Sequence, residues 1–420
     1  MPMRHSQPLL SPRQQACSRL PAPGQPGVLP ALGCSLLLGL ALCGLVGCAA
    51  GSDLSGAEVP TPQLTKPSWQ TDYPTGEGPV ALLLTDLNSD GLRDVAVVNG
   101  IGASVSLYLA DGSGLLPGKE YPVGRGAQAI AALGLDDDAR DDLVIANAAD
   151  NTLSTLLSKG QKAGEFVAGP AITGIENPSI LSTADVTGDG IPDLIVGSSG
   201  TDLITVLENK KTGGTLTRIG APFSAGPDVR GLALLPLDAS QPGRLDLAVA
   251  RAGRDEIGLF RNDGGGRFTP TSLQLGLPPD STPIAVAAAD LDGVSENVEL
   301  AVLSHGTGQL GLAQAVGGGR FMLSSMAIGP KPAALAIGAL DRDALLDMAV
   351  AVPSQELVAT VQNLGAERWP TGLPTDFYAS PGLPTALAIA DMNGDGRGDL
   401  LVVCREADRL RILGPAGTMP

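Results

Sequence analysis

The stretch Asp86-Leu-Asn-Ser-Asp-Gly-Leu-Arg-Asp94-Val-Ala-Val-Val98 decides the fold, because it comes back along the chain. It returns as Asp185-Val-Thr-Gly-Asp-Gly-Ile-Pro-Asp193-Leu-Ile-Val196 and as Asp391-Met-Asn-Gly-Asp-Gly-Arg-Gly-Asp399-Leu-Leu-Val-Val403. Weaker copies end at Asp142, Asp246, Glu299 and Asp347, so there are seven, with end points 48 to 53 residues apart. Self-similarity at that period marks a stacked or radial repeat architecture.

Working outward from the acidic loop, each copy opens on an apolar run such as Val80 to Leu84 or Ile284 to Ala289, whose near-continuous apolarity predicts burial on both faces. The loop follows, then a second short strand (94 to 98, 142 to 146, 246 to 250) and an alternating third, as in Val105-Ser-Leu-Tyr-Leu109. A Gly-rich turn and a fourth segment close the unit, seen best at Gly265-Gly-Arg-Phe268 and Gly318-Gly-Arg-Phe321. Four short strands per fifty residues make one propeller blade. With 56 Gly, 34 Pro and no sustained helical spacing outside the leader, the expected fold is all-β, a seven-bladed propeller of four-stranded antiparallel blades.

Ring closure sharpens this expectation. The seventh copy has a third strand at Leu410 to Leu413 and no fourth, while Ser68-Trp-Gln-Thr-Asp-Tyr73 precedes the first copy as an orphan strand. The N-terminal strand should therefore pair beside residues 409 to 413 and remove a free sheet edge.

The loops carry the chemistry. Asp at positions 1, 5 and 9, Asn or Thr at 3 and Gly at 6 place several hard oxygens around one point, which suits calcium. The strong candidate ligands are Asp86, Asn88, Asp90 and Asp94; Asp185, Thr187, Asp189 and Asp193; and Asp391, Asn393, Asp395 and Asp399. An EF-hand needs a carboxylate at position 12, but Val97, Val196 and Val402 stand there, inside strands. Weaker candidates are Asp136, Asp138 and Asp142, with Gly134 at the first position, and Asp341, Asp343 and Asp347, with Ala339 there. The loop ending at Asp246 and the broken copy ending at Glu299 read as metal-free turns. The bland alternative for every loop is Asp and Gly capping their own backbone amides.

Over residues 67 to 417 the repeats resemble FG-GAP and VCBS-type repeat propellers, relatives of the integrin α-subunit head, although the literal Phe-Gly and Gly-Ala-Pro signatures are eroded. The resemblance implies a ligand face formed by loops between second and third strands and between blades, opposite the calcium loops. Here those loops include Asp150 and Asn151, Arg251 to Glu256, His305, Glu356 and Arg405 to Arg409.

The ends bound the location. Residues 1 to 47 read as a signal peptide whose apolar stretch, Ala31 to Val46, is shorter than the roughly 20 residues of a comfortable membrane span. It stops at Leu45-Val46-Gly47-Cys48, which resembles the lipobox of bacterial lipoproteins and implies lipidation of Cys48. Residues 48 to 66 are Ser, Thr, Pro and Gly with few large apolar groups, the composition of a flexible tether. Ala49 leaves out the Asp of one inner-membrane retention signal, so the lean is to the outer membrane.

The chain carries a net charge of -17, and losing the leader with its three arginines makes it -20. A surface so acidic argues against a nucleic-acid partner. Cys404 alone remains of five cysteines once the leader and the lipid site are set aside, so no disulfide is expected. The one histidine past the leader, His305, reads as a solvated turn residue and Cys404 as a buried apolar one, so no enzyme is expected. The class that remains is a monomeric, extracytoplasmic binding or adhesion module, with a protein partner favoured. A calcium-dependent lectin-like propeller is the alternative, disfavoured by aromatics at 3% of the chain, and an envelope scaffold is the third reading.

Overall fold

The computed structural model describes residues 62–159, 164–238, 241, 243–293, 298–316, 320–343, 345–365 and 376–415. The leader, Cys48, residues 48–61 of the tether and Trp369 lie outside the described residues. Blade 1 is built from Pro79–Thr85, Asp94–Asn99, Ser104–Tyr108 and Lys119–Pro122, antiparallel and in chain order from the inside outward. Five blades repeat that order, with the outer strand split into two short pieces in blades 2 and 3. The first strands of all seven blades touch one another in an unbroken cycle, which makes the sheet set a closed ring.

Blade 7 closes as the missing strand requires. Pro384–Ala390, Asp399–Cys404 and Arg409–Gly414 are completed by Trp69–Pro74, in a register running from Trp69 opposite Gly414 to Pro74 opposite Arg409. Asp72 faces Arg411 across this pair and accepts from its Nε and Nη2 at 2.7 and 2.8 Å, with Arg409 Nη1 at 3.3 Å. Those guanidinium hydrogen bonds hold the Asp72 carboxyl below the usual carboxylate range. This strand and the residues leading into it grip both neighbours. Thr65 N–H donates to the Phe377 carbonyl of blade 6 at 2.7 Å, and Tyr73 packs edge-on to Tyr108 of blade 1, whose hydroxyl donates to the Pro74 carbonyl.

Burial corrects one expectation. The fully buried strands are the second ones, such as Asp94–Asn99 and Asp399–Cys404, whereas the apolar first strands are half-buried along most of their length. A first strand packs on neighbouring blades but turns one side to the ring axis, whereas the second strand is flanked by protein on every side, as is the third strand in the blades of Ser104–Tyr108 and Leu357–Val361. The core is accordingly divided. Each of seven apolar clusters sits at one blade seam, such as Val95, Val97 and Tyr108 of blade 1 against Leu401, Val403 and Ile412 of blade 7.

Candidate metal loops and the opposite turn face

In the three strong loops the side-chain oxygens converge on the loop's own amides. Asp86 accepts from Asp90 N at 3.1 Å and Gly91 N at 2.8 Å, while Asp90 accepts from Leu92 N at 2.8 Å. Asp185 takes Gly188 N and Gly190 N at 2.6 and 2.8 Å, and Asp391 takes Gly394 N and Gly396 N at 2.7 and 2.8 Å. Asn88 and Asn393 accept from the position-5 amides, Asp90 N and Asp395 N, at 2.9 and 2.8 Å. Gly91, Gly190 and Gly396 hold φ of 86°, 83° and 81°, so glycine at position 6 is a backbone requirement. Most carboxylate oxygens here use one lone pair on an amide and keep another for a cation, although Asp391 Oδ1 accepts from both Gly394 N and Asp395 N, so turn-capping and metal-binding are compatible. Thr187 Oγ1, the third-position oxygen of its loop, is buried without a hydrogen-bond partner.

Position 9 does something different. Asp94 is buried and bridges two backbone amides, Leu87 N and Ala110 N, both at 2.8 Å. Asp142 repeats the bridge to Leu135 and Ser158, Asp193 to Val186 and Asn209, Asp246 to Leu237 and Asn262, and Asp347 to Leu340 and Asn363. These acids buckle the acidic loop to the end of the third strand. Asp399 keeps the first arm, to Met392 N at 3.0 Å; sixteen residues on stands Pro415, which has no amide hydrogen. Burial pushes Asp399 up to about 7 and Asp142 up to about 6, and raises Asp94, Asp193, Asp347 and Glu299 as well.

Those directions fix a pH dependence for the chelated protein. A carboxyl whose folded value is raised binds its proton more tightly when folded, so it favours the fold below its ordinary value and that benefit is lost as pH rises through the raised one. Asp72, Asp111 and Asp150 are lowered and act oppositely, losing their contribution as pH falls. Thermal melts in chelator should show stability falling from about pH 5 to about pH 8. A flat profile over that window would show that burial does not raise these carboxyls.

Cations stand beside weak and strong loops alike. Arg140 Nη2 lies 3.2 Å from Asp138, so the blade 2 loop already carries a guanidinium. Asp136 and Asp341 cap the amides of Asp138 and Asp343 at 3.1 and 2.9 Å, and Arg342 donates across to the Asp395 carbonyl at 2.7 Å. Lys210 stands 3.8 Å from Asp189 and partly screens that loop.

The fifth blade departs from the sequence reading. Its loop has broken spacing and reads as metal-free, yet folding brings ligand oxygens of Asp290, Asp292 and Glu299 within 4.8 Å of one another. Glu299 Oε2 accepts from Leu291 N at 2.9 Å, the usual buckle, while Oε1 is buried with no hydrogen-bond partner. Three carboxylates so close favour a bound cation or a retained proton. The longer Glu side chain makes up for the extra residue in the loop.

On the opposite face, residues nine positions after the buckle acid adopt positive φ: Asn151 56°, Asp202 60°, Asp255 51° and Asp408 48°. Each accepts from the amide that introduces the next blade: Asn177 N at 2.7 Å, Asp228 N at 3.1 Å, Thr282 N at 2.7 Å and, across the closure, Gly78 N at 2.8 Å. These turn residues are seam latches. The loop face has its own set, with Asn209, Asn262 and Asn363 donating to carbonyls of the preceding blade at 2.9, 2.8 and 2.6 Å. His305, expected to be solvated, is half-buried and its Nδ1 lies 2.9 Å from the Pro332 carbonyl at the entry to blade 6. Cys404 is buried, with its thiol pushed up by burial and 3.2 Å from Ser380 Oγ.

Fold and loops together define a seven-bladed β-propeller with acidic strand-loop-strand connections. An FG-GAP-like repeat model matches residues 134–196 and 241–293, which with the closed ring of seven blades supports an FG-GAP repeat propeller. No curated protein matches the sequence. Among solved structures it is similar to BBS1N in complex with ARL6DN, at 14% identity over 84% of this chain and 97% of that one, with a TM-score of 0.58. A protein from Lactobacillus plantarum has 16% identity over 73% and 86%, with a TM-score of 0.53. A functionally unknown protein from Desulfotomaculum acetoxidans has 12% identity over 73% and 89%, with a TM-score of 0.52. At such identities the likeness is one of fold.

Proposed function

We propose that this propeller is an exported binding module, tethered to a bacterial membrane by lipid on Cys48, stiffened by calcium in its acidic loops and engaging a protein partner through its opposite face. One observation carries the reading. Four of the turns between second and third strands are pinned by seam latches, and this face still presents exposed charged residues, including Arg254, Glu356, Arg405, Glu406 and Arg409. A charged surface fixed before contact loses little entropy on binding. BBS1N, the similar propeller, is itself crystallised in complex with another protein.

The metal part rests on the donor set. Asp86, Asn88, Asp90 and their counterparts supply hard oxygens, and Asp290, Asp292 and Glu299 add a fourth group. The module acts as a monomer, and the outer membrane is the favoured anchor site.

A photo-crosslinking residue at Glu356 or Arg405, compared with one at Leu92 on the loop face, tests the partner face on living cells. A discrete protein adduct from the first two positions and none from Leu92 is the expected result. Adducts of equal yield from both faces would contradict it. Cys48→Ser should move the protein from the membrane to the soluble extracytoplasmic fraction.

A further inference from the structure

The closure strand does more than complete blade 7. Trp69, Thr71 and Tyr73 alternate with Gln70, Asp72 and Pro74, so the first three share one face of the strand, the face away from the Asp72–Arg411 clamp. That face lines a half-open groove of about 320 Å³, with Ser113 and Leu115 of blade 1 among its other walls and Asn393 at one end. A second groove of about 440 Å³ continues past Tyr73 and Leu115 toward Tyr108 and Glu120. Both volumes fall in the range of small-ligand sites.

Several features of this groove are specific. The indole of Trp69 lies against Gly414, where a Cβ would come within 2.4 Å of Nε1, so only glycine lets the ring lie against the strand. Among the described residues neither Trp69 Nε1 nor Thr71 Oγ1 makes a hydrogen bond, while Tyr73 Oη accepts from Leu115 N at 3.2 Å and keeps its own proton to donate. The first groove has no charged side chain on a protein of net charge -17. Its remaining walls come mainly from loop residues, Ser113 to Leu115 of blade 1 and Met392 and Asn393 of blade 7.

We infer that this seam is a binding site for a neutral oligosaccharide. Sugar rings would lie on the Trp69 and Tyr73 faces, and their hydroxyls would be read by Thr71 and Ser113. The two aromatics sit four residues apart on an extended strand, roughly 13 Å, which spans a short oligosaccharide and exceeds one ring. This surface is separate from the charged turn face, so the proposal stands or falls independently of the protein partner.

The test uses the full-length chain carrying Trp369→Phe, which leaves Trp69 as the sole indole. Cello-, chito-, manno- and malto-oligosaccharides are titrated while indole emission is followed, with an oligogalacturonate as the charged control. A saturable blue shift with at least one neutral oligosaccharide is expected. Thr71→Glu, an exposed position that leaves the clamp intact, should weaken that binding at least tenfold, about 1.4 kcal/mol, with an unchanged melting temperature. No emission change at millimolar concentration of any neutral oligosaccharide would overturn the proposal. Equal affinity in Thr71→Glu, or a preference for the galacturonate, would overturn it too.

Discussion

Asp94→Ala is expected to lower stability in chelator by about 1 to 4 kcal/mol, because it strands the buried Leu87 amide at about 1 to 3 kcal/mol and the half-buried Ala110 amide at less. Asp94 and Leu87 are buried and Ala110 is half-buried, so the Leu87 amide is the arm left without a partner once the carboxylate is gone. Asp86→Ala in the same loop is expected to cost under about 1 kcal/mol, since the amides it releases are exposed and rehydrate. The two acids look equivalent as calcium ligands, so the contrast isolates the structural role of position 9. Urea denaturation of both variants in chelator measures it, with m-values checked for constancy. Equal losses would mean that the buckle is no more important than a surface turn.

Deleting residues 62 to 74 should abolish the cooperative thermal transition. The closure strand pairs with six residues of Arg409–Gly414, covers Tyr108 and supplies Asp72 to Arg411 and Arg409. At about 1 kcal/mol per backbone hydrogen bond, plus the ion pair and the packing of Trp69 and Tyr73, the loss is on the order of 5 to 10 kcal/mol. That is comparable with the whole stability of a typical domain. It also exposes an unpaired strand edge, so concentration-dependent aggregation should accompany it. Asp72→Ala is the graded version, expected to cost about 1 to 3 kcal/mol, because the half-buried Arg411 loses its charged partner. A deletion variant that melts as sharply and as high as the parent would show that the ring does not depend on this strand.

Much of the fold was readable because the repeat writes it seven times. Asp94, Asp193 and Asp399 mark where second strands start, and the lack of a fourth strand after Leu413 points to Trp69–Pro74 as its replacement. Burial was misread at the first strands: apolar residues such as Leu82 and Leu84 pack on neighbouring blades with one side of the strand toward the axis, and composition does not separate that from full enclosure. The seam latches left a trace, an Asn or Asp nine residues after the buckle acid. Their partners, 26 or 27 residues further along or at the far end of the chain, become neighbours only once blades are stacked. The Glu299 group escaped because a loop with one extra residue and a longer acid no longer matches the spacing, although the oxygens still meet. Trp69 and Tyr73 were counted as closure residues, and only the pairing register shows that they share a face with Thr71.

The central claim, that the acidic loops take calcium and that calcium stiffens the ring, is tested most directly by calorimetric titration of calcium into chelated protein, paired with melts at each end point. Calcium should bind with a stoichiometry of at least three, at affinities on the order of 0.1 to 1 mM for an extracellular module. The melting temperature should rise with saturation. No heat of binding together with superimposable melts would contradict it and leave the aspartates as caps of their own turns.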